Sequence, residues 1–497
     1  MISSVIADKR SWGCRMRQRL LCVVALTALT VTLLAGPPVG ALPRASASSA
    51  MGSLRFTRVY LDGQRVPLPV PAVVAGGKTL VPARGLFEHL GAEVIWDGAS
   101  RVTVKAPGHT IDLWLGQPWA SVDGRSVPLD TAPFLWRSRV MVPLRFVAEN
   151  MGCRVTWDEG RFAVHLTRGG GDGGEAQPTL APIREITLAF AGDTLLGYHI
   201  GDLIRAKGPD YPWAGISDVL GSADLAMVNL ECSVSLRGSP MPDKKWTFRA
   251  DPSSLGGLRR AGVDVVSVAN NHSLDYGQEA FVDTLDYLAR EGVAYCGGGR
   301  NLDEALRPVI LEAKGFKVGF LGATAIYPVS EWVASSSRPG ILPTHYETKF
   351  MAAVAALKKE VDFVVVAVHW GEEYKFYPND YQRRYGRALV DAGADVVVGH
   401  HPHVLQGIEV YRGRVIAYSL GNFIFTYTSR PSQESGILLV TMDEQGLAAV
   451  RFLPVFTNYG QPILESGEDY TRMLSDMNTW SSGWGTEIDP GGYVLVP

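Results

Sequence analysis

Three imidazoles within four positions stand out in this chain. Val396–His403 reads VVVGHHPH, so His400, His401 and His403 follow a run of apolar residues in a chain with only ten His. Neutral imidazole is the commonest side-chain metal ligand, and a buried strand that ends in a Gly turn bearing imidazoles is a candidate metal site. Four other apolar runs end in the same manner. EITLAFAGD closes on Asp193 and LAMVNLE on Glu231, with Asn229 two residues earlier. VDVVSVANNH closes on Asn270, Asn271 and His272, and VDFVVVAVHWGEEY carries His369 followed by Glu373 and Tyr374. Carboxylate oxygen, amide oxygen and imidazole together suit a divalent Mn, Zn or Fe ion. No thiolate joins them, which argues against a structural Cys-type zinc site. Two ions fit if Asp193 or Glu231 bridges them, and such a pair clamps a phosphoester and activates bound water.

The elements that must position these residues are strands alternating with helices. Val/Ile/Leu runs separated by helical stretches predict a parallel sheet covered on both faces. In such folds ligands gather at the carboxyl ends of the strands, where all five polar endings fall. Gly201 to Ala206, Ile216 to Leu220, Glu279 to Arg290 and Tyr381 to Ala392 read as helices. Arg414 to Phe425 (RVIAYSLGNFIF), GILLVTMD and LAAVRFLPVF form a late β region.

Ahead of this part lies a duplication. VPARGLFEHLGAEVIWD (residues 81–97) aligns without a gap on VPLRFVAENMGCRVTWD (residues 142–158), and the Asp62-Gly63 and Asp123-Gly124 pairs recur at the same offset. Each unit predicts a D-G hairpin, a short helix opened by V-P-x-R, a Gly stop and a strand ending in Trp-Asp. Trp96, Trp157, Val94 and Val155 are expected in its core. Arg168 to Pro182, RGGGDGGEAQPTLAP, reads as a flexible linker.

The first 47 residues read as an export signal. Lys9, Arg10, Arg15, Arg17 and Arg19 precede the apolar run Leu20 to Ala35, and Ala45-Ser46-Ala47 offers a cleavage site. An uncleaved membrane anchor is the rival reading. Either way the remainder is expected outside the cell or at its surface. The formal charge is −3 overall, and −8 once residues 1–47 are set aside. That balance argues against a nucleic-acid partner. Cys153, Cys232 and Cys296 are too scattered to form a disulfide framework.

Residues 56–167 resemble the copper amine oxidase N-terminal domain, which implies a stalk or wall-associated module with neither copper nor quinone chemistry. The stretches FAGDTLLG, NLECSVS, FRADP, ANNHSLDYG, HWGEEY, GHHPHVLQGIE and YSLGNFIF, in order between Ile186 and Thr457, resemble the CapA family of capsule or poly-γ-glutamate biosynthesis proteins. This resemblance implies an α/β class: a calcineurin-like metallophosphatase α/β sandwich, preceded here by a small α+β duplicated domain. The implied layout is a signal or anchor at 1–47, the repeat domain at 54–167, a linker at 168–183, the metallophosphatase-like domain at 184–460 and a C-terminal extension at 461–497. Against the wider metallophosphoesterase pattern, Leu195 stands where the His of an Asp-x-His motif is expected.

The resemblance assigns Asp193, Glu231, Asn271, His369, His401 and His403 as ligands of one or two divalent ions. Asn229, Asn270 and His400 stand as further ligands or supports. His272 is placed as the proton donor to a leaving oxygen, with Asp275 orienting its ring. Glu373, Tyr374, Lys245, Arg249 and Asn422 are expected near substrate, and Lys244 joins the basic cluster that would meet phosphate or carboxylate groups. Each position has a plainer alternative, a hydrogen-bonded loop residue or a solvated charge. Two functions follow. One is an exported metal-dependent hydrolase of phosphoesters or related bonds, acting on an envelope polymer or phosphoester. The other is a non-catalytic accessory protein that binds an anionic polymer or a membrane synthase, with the repeat domain on the cell wall.

Overall fold

The computed structural model describes residues 55–169, 184–427 and 429–495. The expected export signal and most of the expected linker lie outside the described residues.

The duplicated region forms two sheets. Asp62-Gly63 and Asp123-Gly124 both adopt left-handed backbone, with φ of 50° and 84° and of 51° and 82°. Left-handed conformation at both central residues is the two-residue hairpin geometry that matches strand twist. The strands Lys78–Pro82 and Arg139–Pro143 pair antiparallel with Val81 opposite Val142, so the two copies of V-P-x-R meet at the same residue. The helices Ala83–His89 and Leu144–Asn150 follow each copy. The copies then diverge. Glu93–Trp96 enters a five-stranded antiparallel sheet, whereas Cys153–Asp158 joins the eight-stranded sheet. Val94 and Val155 are buried as expected, but Trp157 is 40% exposed and Trp96 only half-buried. Trp96 ends its strand but still packs against the core, whereas Trp157 lies outside it. There Trp157 meets Phe162 edge-on, with ring centroids 4.9 Å apart.

The second region is a sandwich of two sheets. A nine-stranded sheet contains Ala294–Cys296, Val265–Ser267, Leu225–Leu230 and Glu185–Thr194 in parallel, continued by the antiparallel pair Glu434–Asp443 and Gly446–Asn458. A six-stranded sheet contains Phe316–Thr324, Phe363–His369, Val396–His400 and Arg414–Ala417 in parallel. The inner faces share one apolar core, with Ile186, Phe190 and Val265 from the first sheet and Phe320, Val365 and Val398 from the second. Helices cover the outer faces: Gly277–Arg290 lies over the first sheet, and Glu347–Leu357 and Asp380–Ala392 over the second. The α/β sandwich is the fold class expected from the sequence.

One stretch of the expected late β region contributes to both sheets. The Arg414–Phe425 run splits into Arg414–Ala417 in the six-stranded sheet and Asn422–Ile424, which pairs with Glu185–Thr194 in the other sheet. Gly421, at φ 68°, makes the turn between them. At the crossing, a Cβ on Gly192 would lie 2.0 Å from the Gly421 carbonyl oxygen, so only Gly allows the two backbones this close. Residues 461–464 add a further strand to the nine-stranded sheet.

Candidate metal centre at the strand ends

The carboxyl ends of both sheets converge on one buried cluster. Asp193, Glu231 and the Asn270–His272 turn come from the nine-stranded sheet; His369 and the His400–His403 turn come from the other. Gly399 permits the approach: a Cβ there would lie 2.0 Å from the Tyr418 carbonyl oxygen and 2.5 Å from Trp370 Nε1. The chain then turns through His401 at φ 95° and His403 at φ 56°. Non-Gly residues held in left-handed backbone cluster at functional sites, where surrounding structure compensates the strain.

Asp193 is the hub. Its Oδ1 accepts from Asn229 Nδ2 at 2.9 Å and its Oδ2 from the His401 backbone N–H at 3.2 Å. His400 Nδ1 lies 3.4 Å from Oδ1, and His403 Nδ1 3.5 Å from Oδ2. Burial raises the Asp193 pKa, but these two imidazoles outweigh it and hold the carboxyl well below its ordinary range. Glu231 moves the other way, raised by burial and then by the Asp193 charge. Asn229 Nδ2 also reaches Glu231 Oε2 at 3.3 Å and tethers the two carboxylates.

The donor geometry supports a cation. Glu231 Oε1 is buried and makes no hydrogen bond. Around it stand Nε2 of His272 at 4.0 Å, of His369 at 4.0 Å and of His403 at 3.9 Å. These gaps are too long for hydrogen bonds; those to His369 and His403 leave room for an ion between the donors, and His272 Nε2 stands beside them. An orphaned carboxylate oxygen facing imidazole nitrogens is costly without such a guest. Asp193, Glu231 and His369 each offer an atom within 4.8 Å of the others, and so do Glu373, His401 and His403. Burial lowers His369 well below the ordinary imidazole range and brings His401 down to about 3, with neighbouring imidazoles adding to both shifts. Both rings are therefore neutral at pH 7, the state that ligates. Burial also pushes His403 down, but Glu231 and Asp193 outweigh it and raise the ring to about 9.

Beside the cluster, His272 Nδ1 lies 2.7 Å from Asp275 Oδ2. Donation of Nδ1–H to that carboxylate fixes the tautomer and leaves Nε2 towards Glu231. Asp275 is itself anchored by the Phe248 backbone N–H at 2.7 Å and by Lys244 Nζ, which also bonds the Asn271 carbonyl and lies 3.2 Å from His272 Nδ1. Lys244 is thus the member of the basic cluster that enters the site. Lys245 is exposed, its ammonium 5.2 Å from the Trp246 ring centroid. Arg249 turns away, with its guanidinium on the carbonyls of Arg237 at 3.1 Å and Gly238 at 3.3 Å.

The remaining positions take supporting places. Asn271 Oδ1 lies 2.8 Å from His369 Nε2. Asn270 spends its amide on Asn229 Oδ1 and the Leu230 carbonyl, and its oxygen on the His272 N–H and the Ser273 hydroxyl, so it braces the cluster. Asn422 Oδ1 accepts from His403 Nδ1 at 2.8 Å and sets that ring's orientation. Tyr374 is exposed, at φ 61°, and its hydroxyl donates to that of Tyr427 at 3.2 Å. The Tyr427 ring stands 5.6 Å from that of His403, a neighbour that sequence reasoning did not single out.

With the geometry in place, comparisons with known proteins identify its kin. Residues 187–427 match the family described as bacterial capsule synthesis protein PGA_cap, and residues 60–166 match the copper amine oxidase N-terminal domain. The chain is 33% identical over 279 residues to the PGA biosynthesis protein CapA of Bacillus subtilis, covering 56% of this chain and 73% of that one. It is 32% identical over 313 residues to the capsule biosynthesis protein CapA of Bacillus anthracis, covering 60% and 76%. The solved NAD nucleotidase of Haemophilus influenzae overlays 59% of this chain and 62% of its own at 12% identity and a TM-score of 0.33.

Proposed function

This chain belongs to the bacterial capsule synthesis (CapA) family, and we propose that it is an exported protein of capsule or poly-γ-glutamate biosynthesis with a divalent-metal, phosphoesterase-like hydrolase site. One observation carries the hydrolase reading: Glu231 Oε1, buried and unbonded, faces three imidazole Nε2 atoms at 3.9–4.0 Å. Asp193, Glu231, Asn271, His369, His401 and His403 hold the metal in this reading. An ion so held supplies Lewis-acid polarisation of a phosphoryl or carbonyl oxygen. His272 takes or returns a proton at Nε2, because Asp275 holds Nδ1–H and favours the imidazolium that forms. Lys244 holds Asp275 in place through an ion pair. The substrate in this reading is an anionic envelope polymer or a phosphoester, met beside a membrane synthase, with the repeat domain towards the cell wall.

The test is metal content by mass spectrometry of tag-free protein, with Asp193→Ala,His401→Ala as control, followed by a phosphoester and polyglutamyl panel. About one or more ions per chain in the wild type, lost in the variant, together with turnover of a panel member, supports the reading. Metal-loaded protein that turns over nothing, while a known phosphatase does in the same assay, removes it.

A second reading has its own observation. Leu195 is fully buried in the apolar core, where the metallophosphoesterase pattern puts a His. That departure favours a non-catalytic accessory that binds polymer or synthase. Polymer pull-down unchanged by Asp193→Ala,His401→Ala supports it, and no polymer or wall binding excludes it. Export is tested by N-terminal sequencing of the protein recovered outside the cell: a start near Ala47 marks cleavage.

A further inference from the structure

The missing imidazole leaves the ligand set one donor short. Leu195 packs in the core cluster that contains Leu196, Leu230, Phe423 and Phe425, and its N–H donates to the Ile424 carbonyl at 2.8 Å.

The turn after His369 leans over the His401–His403 loop. Gly371 turns at φ 88° and Tyr374 at φ 61°. The Tyr374 N–H donates to the Pro402 carbonyl at 2.8 Å, between the two imidazoles. This clamp brings a Glu373 carboxylate oxygen, a His401 nitrogen and a His403 nitrogen within 4.8 Å of one another. Both imidazoles are at least nine-tenths buried, and His401 Nδ1 has no hydrogen-bond partner. The trio adjoins the other ligand set, since His403 Nε2 stands 3.9 Å from Glu231 Oε1.

Resting on the metal reading above, we infer that Glu373 is a metal ligand: with His401 and His403 it completes a second ion position beside Asp193, Glu231 and His369, in the role left open by Leu195. The chemistry suits it. A carboxylate and two imidazoles form a mixed oxygen and nitrogen set for Mn, Zn or Fe. An exposed carboxylate over buried rings also leaves that position accessible to a substrate. This gives Glu373 a different task from the substrate contact expected from the sequence.

The experiment counts ions. Full-length mature protein is stripped with chelator, reloaded with Mn or Zn, desalted and assayed by mass spectrometry, beside Glu373→Gln and the neighbouring control Glu372→Gln. Glu373 is exposed, so its amide variant is expected to fold, and circular dichroism checks that. The expected result is two ions per chain in the wild type and in Glu372→Gln, and one in Glu373→Gln. With Mn, the exchange-coupled paramagnetic resonance signal of a metal pair is lost in Glu373→Gln alone. Two ions retained in Glu373→Gln overturn the assignment, and so does one ion in both the wild type and Glu373→Gln, although that outcome spares a single-metal hydrolase. No ion in the wild type removes both this assignment and the reading beneath it.

Discussion

The repeat region and the strand-end cluster use the same backbone device in opposite surroundings. In the repeat region, the left-handed non-Gly residues Asp62, Asp123, Arg137, Ser138 and Phe162 are half-buried or exposed. In the cluster, His401 and His403 adopt positive φ in a buried loop, next to a carboxylate oxygen with no hydrogen bond. The repeat interior is apolar, built on Val59, Leu86, Phe87 and Val142. The cluster interior holds Asp193, Glu231, Asn229, His369 and three further imidazoles at or below 5% exposure. A fold that needed only stability would fill the second space like the first. Buried polar groups concentrated at one end of a sandwich therefore mark a place kept for a ligand.

This contrast predicts separable responses. The largest effect is expected in the repeat core. Phe87→Ala removes a fully buried ring and is expected to cost about 3–5 kcal/mol in that region, read by chemical denaturation. Metal per chain should stay at its wild-type value. A fall in metal content would break the contrast, because it would tie the repeat core to the cluster.

Next comes ligand linkage at the cluster. Manganese or zinc at ~100 times its dissociation constant should stabilise the wild type by about 2.7 kcal/mol, read as a rise in melting temperature. Asp193→Ala,His401→Ala should gain nothing. An equal gain in both proteins would put the binding somewhere else.

A smaller effect is expected at Lys244. Burial lowers the His272 pKa, Asp275 opposes that, and Lys244 adds to the lowering. Lys244→Met should therefore move the His272 limb of the pH–rate profile to higher pH. It should also reduce kcat roughly 10–100-fold, the usual scale for groups that orient a reacting residue. An unmoved limb would show that Lys244 acts only through packing.

Much of the second region could be read from the chain. Each apolar run predicted a buried strand, and its polar ending placed Asp193, Glu231, His369 and His400–His403 at a carboxyl end, because strand direction alone decides that. Side-chain direction outside regular structure was not readable. Lys244, Lys245 and Arg249 look alike as a charge cluster, yet the loop sends one to Asp275, one to solvent and one to backbone carbonyls. The crossing of Asn422 between sheets was hidden for a similar reason: RVIAYSLGNFIF keeps a strand-like composition through Gly421, and only the turn at that Gly divides it. In the repeat region the alternation that buries Val155 also predicts burial for Trp157, but a period of two carries no information on where the core ends.

The smallest expected effect bears on whether the two regions act as one body. Glu185 begins the first strand of the sandwich, and its carboxylate accepts from the Tyr60 hydroxyl at 2.7 Å and from Arg58 Nη1 at 2.8 Å. Tyr60 is fully buried and stacks on His165 at 5.0 Å, so Tyr60→Phe keeps the ring contact and removes the hydroxyl's bond to Glu185 and the 3.3 Å one it accepts from Arg58. Arg58 still neutralises Glu185, which limits the loss to about 1.5–3 kcal/mol or less. If the contact couples the regions, denaturation followed separately by repeat-region and sandwich fluorescence should show one shared transition in the wild type and two in Tyr60→Phe. Two transitions already present in the wild type would mean that the repeat region melts on its own, and Tyr60→Phe should then move only the transition of the repeat region. A single transition that shifts as a whole would mean that other cross-region contacts, among them Arg65 with Asp443, the Phe56 N–H with Asp489 and Arg137 with Glu487, hold the two together without Tyr60.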